Sequence, residues 1–310
     1  MISLNDIRYV RLGTADLDAA VRYATEILGL QLARREGKSA YLRADDRDHT
    51  LVYTQGNPGD HVAAFDVRTA AELEAAAAEL DRAGREVRAG TRSECEQRAV
   101  DAFIVFKDPS GNSIEIVNRP AHSGRRYFPS RDAGITGFSH IGLHSVSPRS
   151  DEAFWTTTCN ARVSDWIGEA PLLRIDPVHH RIALFPSRRN GVQHINHQVA
   201  SIDDVMRSYY FLREQNVRIR FGPGRHPTSG AMFVYFEGPD GMIFEYSCGV
   251  RIIDDEAAYR PRQFPPANSS LCAWGSKPDI AEFEEAVRSK EDAARAGAAR
   301  PSAVAAVKSD

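Results

Sequence analysis

The sequence predicts an α+β fold of two halves, each assembled from two copies of one strand–helix–strands unit. Three observations predict it. Residues Asp101–Glu115 and Ala231–Glu245 share one pattern: an apolar strand, a Pro-x-Gly turn, and a second apolar strand ending in glutamate. Each copy is preceded by a short strand and a helix-like segment, His61–Val67 with Thr69–Ala83 and His194–Ala200 with Ile202–Gln215. The same order opens each half, Ile7–Leu12 leading into Asp16–Leu28 and Phe138–Leu143 into Ser150–Cys159. Internal repetition of this kind decides architecture before any single element does.

Local chemistry supports each element in turn. The Ser/Thr or Asp residues before the helical segments are N-caps, and apolar residues at helical spacing follow them. Val205, Tyr209 and Leu212 make such a stripe in the second half. In both turns proline sets φ and glycine permits φ > 0, which suits a tight hairpin. Two units side by side bury their apolar sheet faces and leave a half-open cavity between curved sheets. Residues 119–134, rich in Arg, Ser, Gly and Pro, read as the link between halves. The expected domains are 1–120 and 135–278. Residues 279–310 are expected to form a surface helix, Ile280–Ala296, and a frayed tail.

The bulk properties exclude several classes. The chain has 310 residues, enough for two domains, and a net charge of −3 that attracts neither nucleic acid nor an anionic membrane. No apolar run is long enough to span a bilayer, and the N-terminus lacks the features of a signal peptide, so a cytoplasmic protein is expected. Cys95, Cys159, Cys248 and Cys272 are scattered, which argues against a disulfide framework or a thiolate zinc site.

Glu245 lies among Ile243, Phe244 and Tyr246. A carboxylate in such a strand is costly unless a partner compensates it. His140 and His194 each begin an apolar strand of the same half. The pseudo-symmetry of the units sets these histidines opposite each other, with Glu245 nearby. Two neutral imidazoles and one carboxylate on a single face are the donors of a non-haem iron(II) site with open positions. Read by the same repeat, His61 and Glu115 occupy the places of His194 and Glu245 in the first half, whereas Tyr9 stands where His140 does. A phenol is a poor iron(II) ligand, so the first half reads as a degenerate, non-catalytic duplicate.

Gly224, His226, Val234, Tyr235, Pro239, Gly241 and Glu245 fall in a spacing that resembles the signature of type I extradiol catechol dioxygenases of the vicinal oxygen chelate superfamily. Gly238 departs from it, at a position that is usually acidic or small and polar. The resemblance covers roughly residues 1–277. It implies a two-domain fold of four βαβββ modules paired into two half-open barrels. It also implies Fe(II) held by His140, His194 and Glu245, with Mn(II) compatible with the same donors. His180 matches the acid/base histidine of the family, and its neighbour His179 should point to the other sheet face. His226 and Tyr235 match the residues that hydrogen-bond the bound diol and oxygen-derived species. His197, out of strand parity with His194, reads as structural or supporting. His49 resembles His180 in its surroundings and reads as a remnant. Ser270–Gly275, with Trp274, resembles a segment that covers the pocket.

The implied reaction inserts both atoms of O₂ into a substituted catechol beside its diol, and look-alikes are commonly homo-oligomers. An apolar pocket is expected, with Leu172, Leu173, Phe185, Ile141 and Leu143 as wall candidates. Arg174, if it faces inward, would clamp a carboxylate and favour 2,3-dihydroxy-p-cumate over 2,3-dihydroxybiphenyl. The competing reading is a lyase, transferase or binding protein on the same scaffold.

Overall fold

The computed structural model describes residues 1–283. The first half contains β1 (Asp6–Thr14), β2 (Gln31–Glu36), β3 (Ser39–Arg43), β4 (Leu51–Gln55), β5 (His61–Val67), β6 (Arg88–Ala89), β7 (Ala102–Lys107) and β8 (Ser113–Asn118). The second contains β9 (Ile135–Ser145), β10 (Arg162–Ile167), β11 (Ala170–Arg174), β12 (Ile182–Pro186), β13 (Val192–Val199), β14 (Ile219–Arg225), β15 (Met232–Glu237), β16 (Ile243–Cys248) and β17 (Arg262–Phe264). Each half is one sheet, ordered β2-β3-β4-β1-β5-β8-β7-β6 and β14-β15-β16-β13-β9-β12-β11-β10-β17.

These orders confirm the four modules. In every module the first strand lies parallel to the last: β1 with β4, β5 with β8, β9 with β12 and β13 with β16. The two modules of a half join antiparallel through their first strands, β1–β5 and β9–β13. The helices are α1 (Leu17–Arg22), α2 (Ala70–Arg82), α3 (Arg92–Arg98), α4 (Pro148–Ala153), α5 (Ile202–Glu214) and α6 (Asn268–Leu271). Thr69 and Glu72 form a capping box on α2, and Ser201 accepts from the Asp204 amide at the start of α5. Both α1 and α4 run on as π-helical turns, Tyr23–Ile27 and Phe154–Thr158. The helix expected over Ile280–Ala296 lies, beyond Phe283, outside the described residues.

The hairpin turns behave as their sequence dictates, with Gly111 at φ +86° and Gly241 at φ +77°. Gly238 has a different cause. Its φ is −112°, but a Cβ there would lie 2.4 Å from Cε2 of the buried Phe244 ring. The departure from the family pattern is therefore matched to Phe244 packing. Neither glutamate ends its strand, as the sequence pattern suggested; each is the third residue of its strand, β8 or β16.

One apolar core runs through both halves. The link between halves is tied into it. Arg131 donates to the Ile27 carbonyl at 2.7 Å, the Tyr246 hydroxyl at 3.0 Å and Ser208 Oγ at 3.0 Å. A separate apolar cluster, including Leu172, Phe185, Phe233 and Leu271, surrounds the candidate site in the second half.

Candidate metal centre and its cavity

Strand pairing sets the three proposed ligands on one face of the second sheet. Asn196 of β13 is paired with His140 of β9 on one side and with Glu245 of β16 on the other. Paired residues share a face, and so does His194, two positions before Asn196. His140 sits mid-strand and His194 third in β13, rather than at the strand starts. His140 Nε2 lies 3.1 Å from His194 Nε2 and 3.1 Å from Glu245 Oε2, and His194 Nε2 lies 3.5 Å from that oxygen. Two donors at right angles, each about 2.1 Å from one ion, are separated by roughly 3 Å.

The donor set fits a divalent ion by its unmet demands. Glu245 Oε2 is fully buried and has no aligned hydrogen-bond donor, despite the nearby imidazoles. The two Nε2 atoms face each other across a gap that a cation would fill. His194 Nδ1 faces the Gln193 side-chain oxygen at short range, which leaves Nε2 as the lone-pair donor. Burial opposes the Glu245 charge, but His140, His226 and His194 hold its carboxyl well below the usual range. Burial pushes His194 down to about 3, which keeps its imidazole neutral and ready to ligate. Gly142, paired with His194 across the sheet, is required here: a Cβ would lie 2.3 Å from His194 Nδ1. Among the described residues this is the one group of three such ligands within reach of a single ion.

His180, His226 and Tyr235 border the same cavity. The His180 ring centroid is 4.2 Å from that of His140. Burial, and then the neighbouring imidazoles, hold His180 well below its ordinary value. His226 Nδ1–H donates to the Leu271 carbonyl at 2.8 Å, and its Nε2 lies 3.2 Å from the Tyr235 hydroxyl. Burial and the adjacent Glu245 raise the Tyr235 hydroxyl, so it stays protonated. Leu172, Phe185, Ile167, Ala183, Leu271 and Phe283 supply apolar walls. Past Phe185, Leu271 and Phe283 the cavity meets a vestibule of about 960 Å³.

The profile of the Glyoxalase/Bleomycin resistance protein/Dioxygenase superfamily matches residues 6–116 and 132–246. The chain belongs to this superfamily. The "Iron-dependent extradiol dioxygenase" of Rhodococcus jostii (strain RHA1) is 28% identical over 281 residues, covering 83% of this chain and 93% of that protein. The "Biphenyl-2,3-diol 1,2-dioxygenase" of Pseudomonas sp. (strain KKS102) is 31% identical over 297 residues, covering 89% and 98%. A crystal structure of a halotolerant catechol dioxygenase superposes with a TM-score of 0.81 at 22% identity, over 90% of this chain and 96% of that one, a likeness of fold.

Several expectations for this superfamily member are corrected by its structure. Ile141, Leu143 and Leu173 belong to the main core rather than the cavity. Ile141 adjoins His140 in one strand, so it points to the opposite face. Arg174 does not line the cavity either. Its guanidinium donates to the Val163 carbonyl at 2.6 Å, Ser164 Oγ at 3.1 Å and the Glu256 carboxylate. It is thereby spent on a structural pair and is not placed to clamp a carboxylate in the cavity. Trp274 is half exposed, and Leu271 is the member of its segment that closes the cavity. His197 is buried in the main core between Phe138 and Phe244, with both ring nitrogens unpartnered.

His61 is one residue out of place. Glu115 pairs with Ala64, so the position equivalent to His194 is Val62, two residues before Ala64. His61 instead accepts from the Val192 amide at 3.0 Å, between the halves. Tyr9 pairs with Ala64 as His140 pairs with Asn196, so its equivalence holds. The Tyr9 hydroxyl donates to Glu115 at 2.7 Å, and Arg98 forks onto the same carboxylate at 2.6–3.0 Å. The first half thus neutralises its glutamate with one cation, Arg98, beside the Tyr9 hydroxyl and lacks both histidines.

Sequence reasoning missed Gly142, Gln193 and Phe283. Gly142 carried a usable signal: it lies two residues past His140 on the same strand face. Phe283 carried none, since it lies far along the chain from the motif.

Proposed function

We propose that the second half is the catalytic unit of an extradiol ring-cleaving dioxygenase acting on catechols with an apolar aryl or alkyl substituent. The observation that carries this is the His140–His194–Glu245 cluster at the floor of an apolar cavity bordered by His180, His226 and Tyr235. The activities for which the Rhodococcus and Pseudomonas relatives are named support the reaction class. Fe(II) is the proposed ion, and Mn(II) suits the same nitrogen and oxygen donors. When bound, the ion would supply a Lewis acid for the two diol oxygens and a redox centre between the diol and O₂.

The protein's own groups do the rest. His180, neutral in its buried position, takes the proton of a diol hydroxyl and returns it as the ring opens. The Tyr235 hydroxyl and His226, fixed through the Leu271 carbonyl, offer hydrogen bonds to oxygens held over the cluster. The apolar walls exclude water and seat the ring. In the balanced reaction the carbon–carbon bond beside the diol breaks and both oxygen atoms enter the product, so no external reductant is consumed. The vestibule accommodates a substituent larger than the ring itself. With Arg174 engaged elsewhere, 2,3-dihydroxybiphenyl is the preferred candidate over a carboxylated diol.

All four cysteines are free and buried, which suits a reducing cytoplasm. Among the described residues no helix is long and apolar enough to cross a membrane. Assembly as a homo-oligomer belongs to the same reading and is checked by light scattering. The deciding experiment mixes protein purified without air and loaded with Fe(II) with a panel of 3-substituted catechols and O₂. A yellow ring-cleavage product supports the proposal. No product from any diol, with iron bound, overturns it.

A further inference from the structure

We infer that Asp165 and His179 act as a relay that sets the tautomer of His180, placing its proton on Nδ1 and leaving Nε2 as the acceptor. The inference deepens the proposed acid/base role of His180 and rests on it.

Asp165, in β10, forms the outer end of the relay. Its Oδ1 accepts from the Arg262 amide at 2.8 Å and Arg262 Nε at 3.1 Å; its Oδ2 accepts from Arg262 Nη2 at 2.6 Å and lies 3.0 Å from His179 Nε2. A carboxylate only accepts, so the proton of His179 must sit on Nε2. Burial opposes the charge of Asp165, yet the hydrogen bonds from His179 and Arg262 hold its carboxyl below the ordinary value. Burial likewise keeps His179 neutral. A neutral imidazole protonated at Nε2 presents a lone pair at Nδ1. That atom lies 3.1 Å from Nδ1 of His180. One of the two must donate, and only His180 can. The backbone holds the rings in this relation: the His179 amide donates to the Arg251 carbonyl at 2.9 Å and the Ile253 amide to the Pro177 carbonyl at 2.7 Å. These two histidines lie in the bend before β12, so strand alternation, the sequence argument for separating them, does not apply.

The first half contains the counterpart. Leu51 pairs with Val10 as Ile182 pairs with Ile141, which makes His49 equivalent to His180 and Asp48 equivalent to His179. Arg34 pairs with Tyr41 and Tyr41 with Val52, as Asp165 pairs with Leu172 and Leu172 with Ala183, so Arg34 stands where Asp165 does. His49 Nδ1 lies 2.8 Å from Asp48 Oδ1, and Arg34 pairs with Asp48. Both halves therefore set an acceptor on Nδ1 of this histidine and back it with a charge, the cation Arg34 in the first half and the carboxylate Asp165 in the second. In the first half a carboxylate touches the ring directly and favours its protonation, although burial outweighs it and holds His49 below its ordinary value. In the second half a neutral ring intervenes and the carboxylate is one residue farther away. That arrangement fixes orientation and tautomer while leaving the proton easy to return, which a turnover base requires.

The test uses full-length protein. Zinc-loaded, diamagnetic samples with ¹⁵N-labelled histidine report the His180 tautomer, assigned by comparison with His180→Asn. The Fe(II) enzyme with 2,3-dihydroxybiphenyl reports kcat, KM and metal content. The relay predicts Nδ1–H in the wild type. His179→Phe should shift His180 toward the Nε2–H form and lower kcat by roughly 10²-fold or more, with KM and iron content unchanged. His179→Gln, whose amide can accept from His180 and donate to Asp165, should recover most of the loss. A wild-type His180 protonated at Nε2 overturns the relay, as does a His179→Phe protein with unaltered tautomer and kcat. The wild-type spectrum decides the tautomer even if no variant folds. It does so too if no diol is cleaved, a result that would sink the proposed function alone.

Discussion

At the scale of single residues, each side chain of the site has a separable task. Glu245→Gln and His194→Ala remove a donor from a three-donor set, so both variants should purify without a stoichiometric divalent ion, as elemental analysis would show. His180→Ala leaves the set intact: metal content should hold while kcat falls by about 10²–10⁴-fold. Gly142→Ala places a methyl carbon against the His194 ring and should cost metal affinity without touching a ligand, read by titration with Fe(II). Much of this was legible in the chain. The histidines and the glutamate stand out because polar groups in apolar strands need partners. Wall residues were less legible, since Ile141 and Leu172 look alike as letters and only strand parity separates them. Arg174 was misjudged because its partner, Glu256, lies 82 positions away.

Among the elements, the modules were visible through repetition, and pairing register is what refined them. A one-residue shift moves a side chain to the other sheet face. That is why His61, which looked like the twin of His194, faces the second half instead. The consequence, among the described residues, is one candidate metal site: one ion per chain is expected, and Glu115→Gln should leave that stoichiometry unchanged. Arg98→Ala would strand the buried Glu115 carboxylate and should lower stability by about 3–5 kcal/mol in denaturant unfolding, with the iron complement intact. The capping boxes on α2 and α3 follow from Thr-x-x-Glu spacing and could be read directly. The π-helical turns after α1 and α4 could not, because they depend on what those helix ends pack against.

Across the whole molecule, the two halves are bound by buried polar links as well as by the common core. Asp151 of α4, in the second half, accepts from the Ser110 amide at 3.0 Å and from the hydroxyls of Ser110 and Ser145. Tyr246 of β16, the residue after Glu245, donates to the Leu28 carbonyl at 2.8 Å. The first half therefore buttresses the strand that carries the proposed metal ligand Glu245, although it has no such group itself. Under the proposed function substrate preference belongs to this scale too, because the vestibule is made by β10, β12, β17 and the chain around Leu271 and Phe283 together. For 2,3-dihydroxybiphenyl against 2,3-dihydroxy-p-cumate, kcat/KM should favour the biphenyl, and Arg174→Ala should leave the ratio unchanged. A reversed ratio, or a shift on mutation, would return the carboxylate clamp to consideration.

The chain alone was enough to specify the modules, the hairpins with their glycines, and the histidines and glutamate that need compensation. Those properties are local or periodic: they follow from alternation, capping, turn conformations and the cost of burying charge. Tertiary structure alone decided which apolar residues face the cavity, where Arg174 and His61 spend their polar groups, and how Asp165 and His179 reach His180. Each of these depends on pairing between strands distant in sequence, where a shift of one residue reverses the face and exchanges one partner for another.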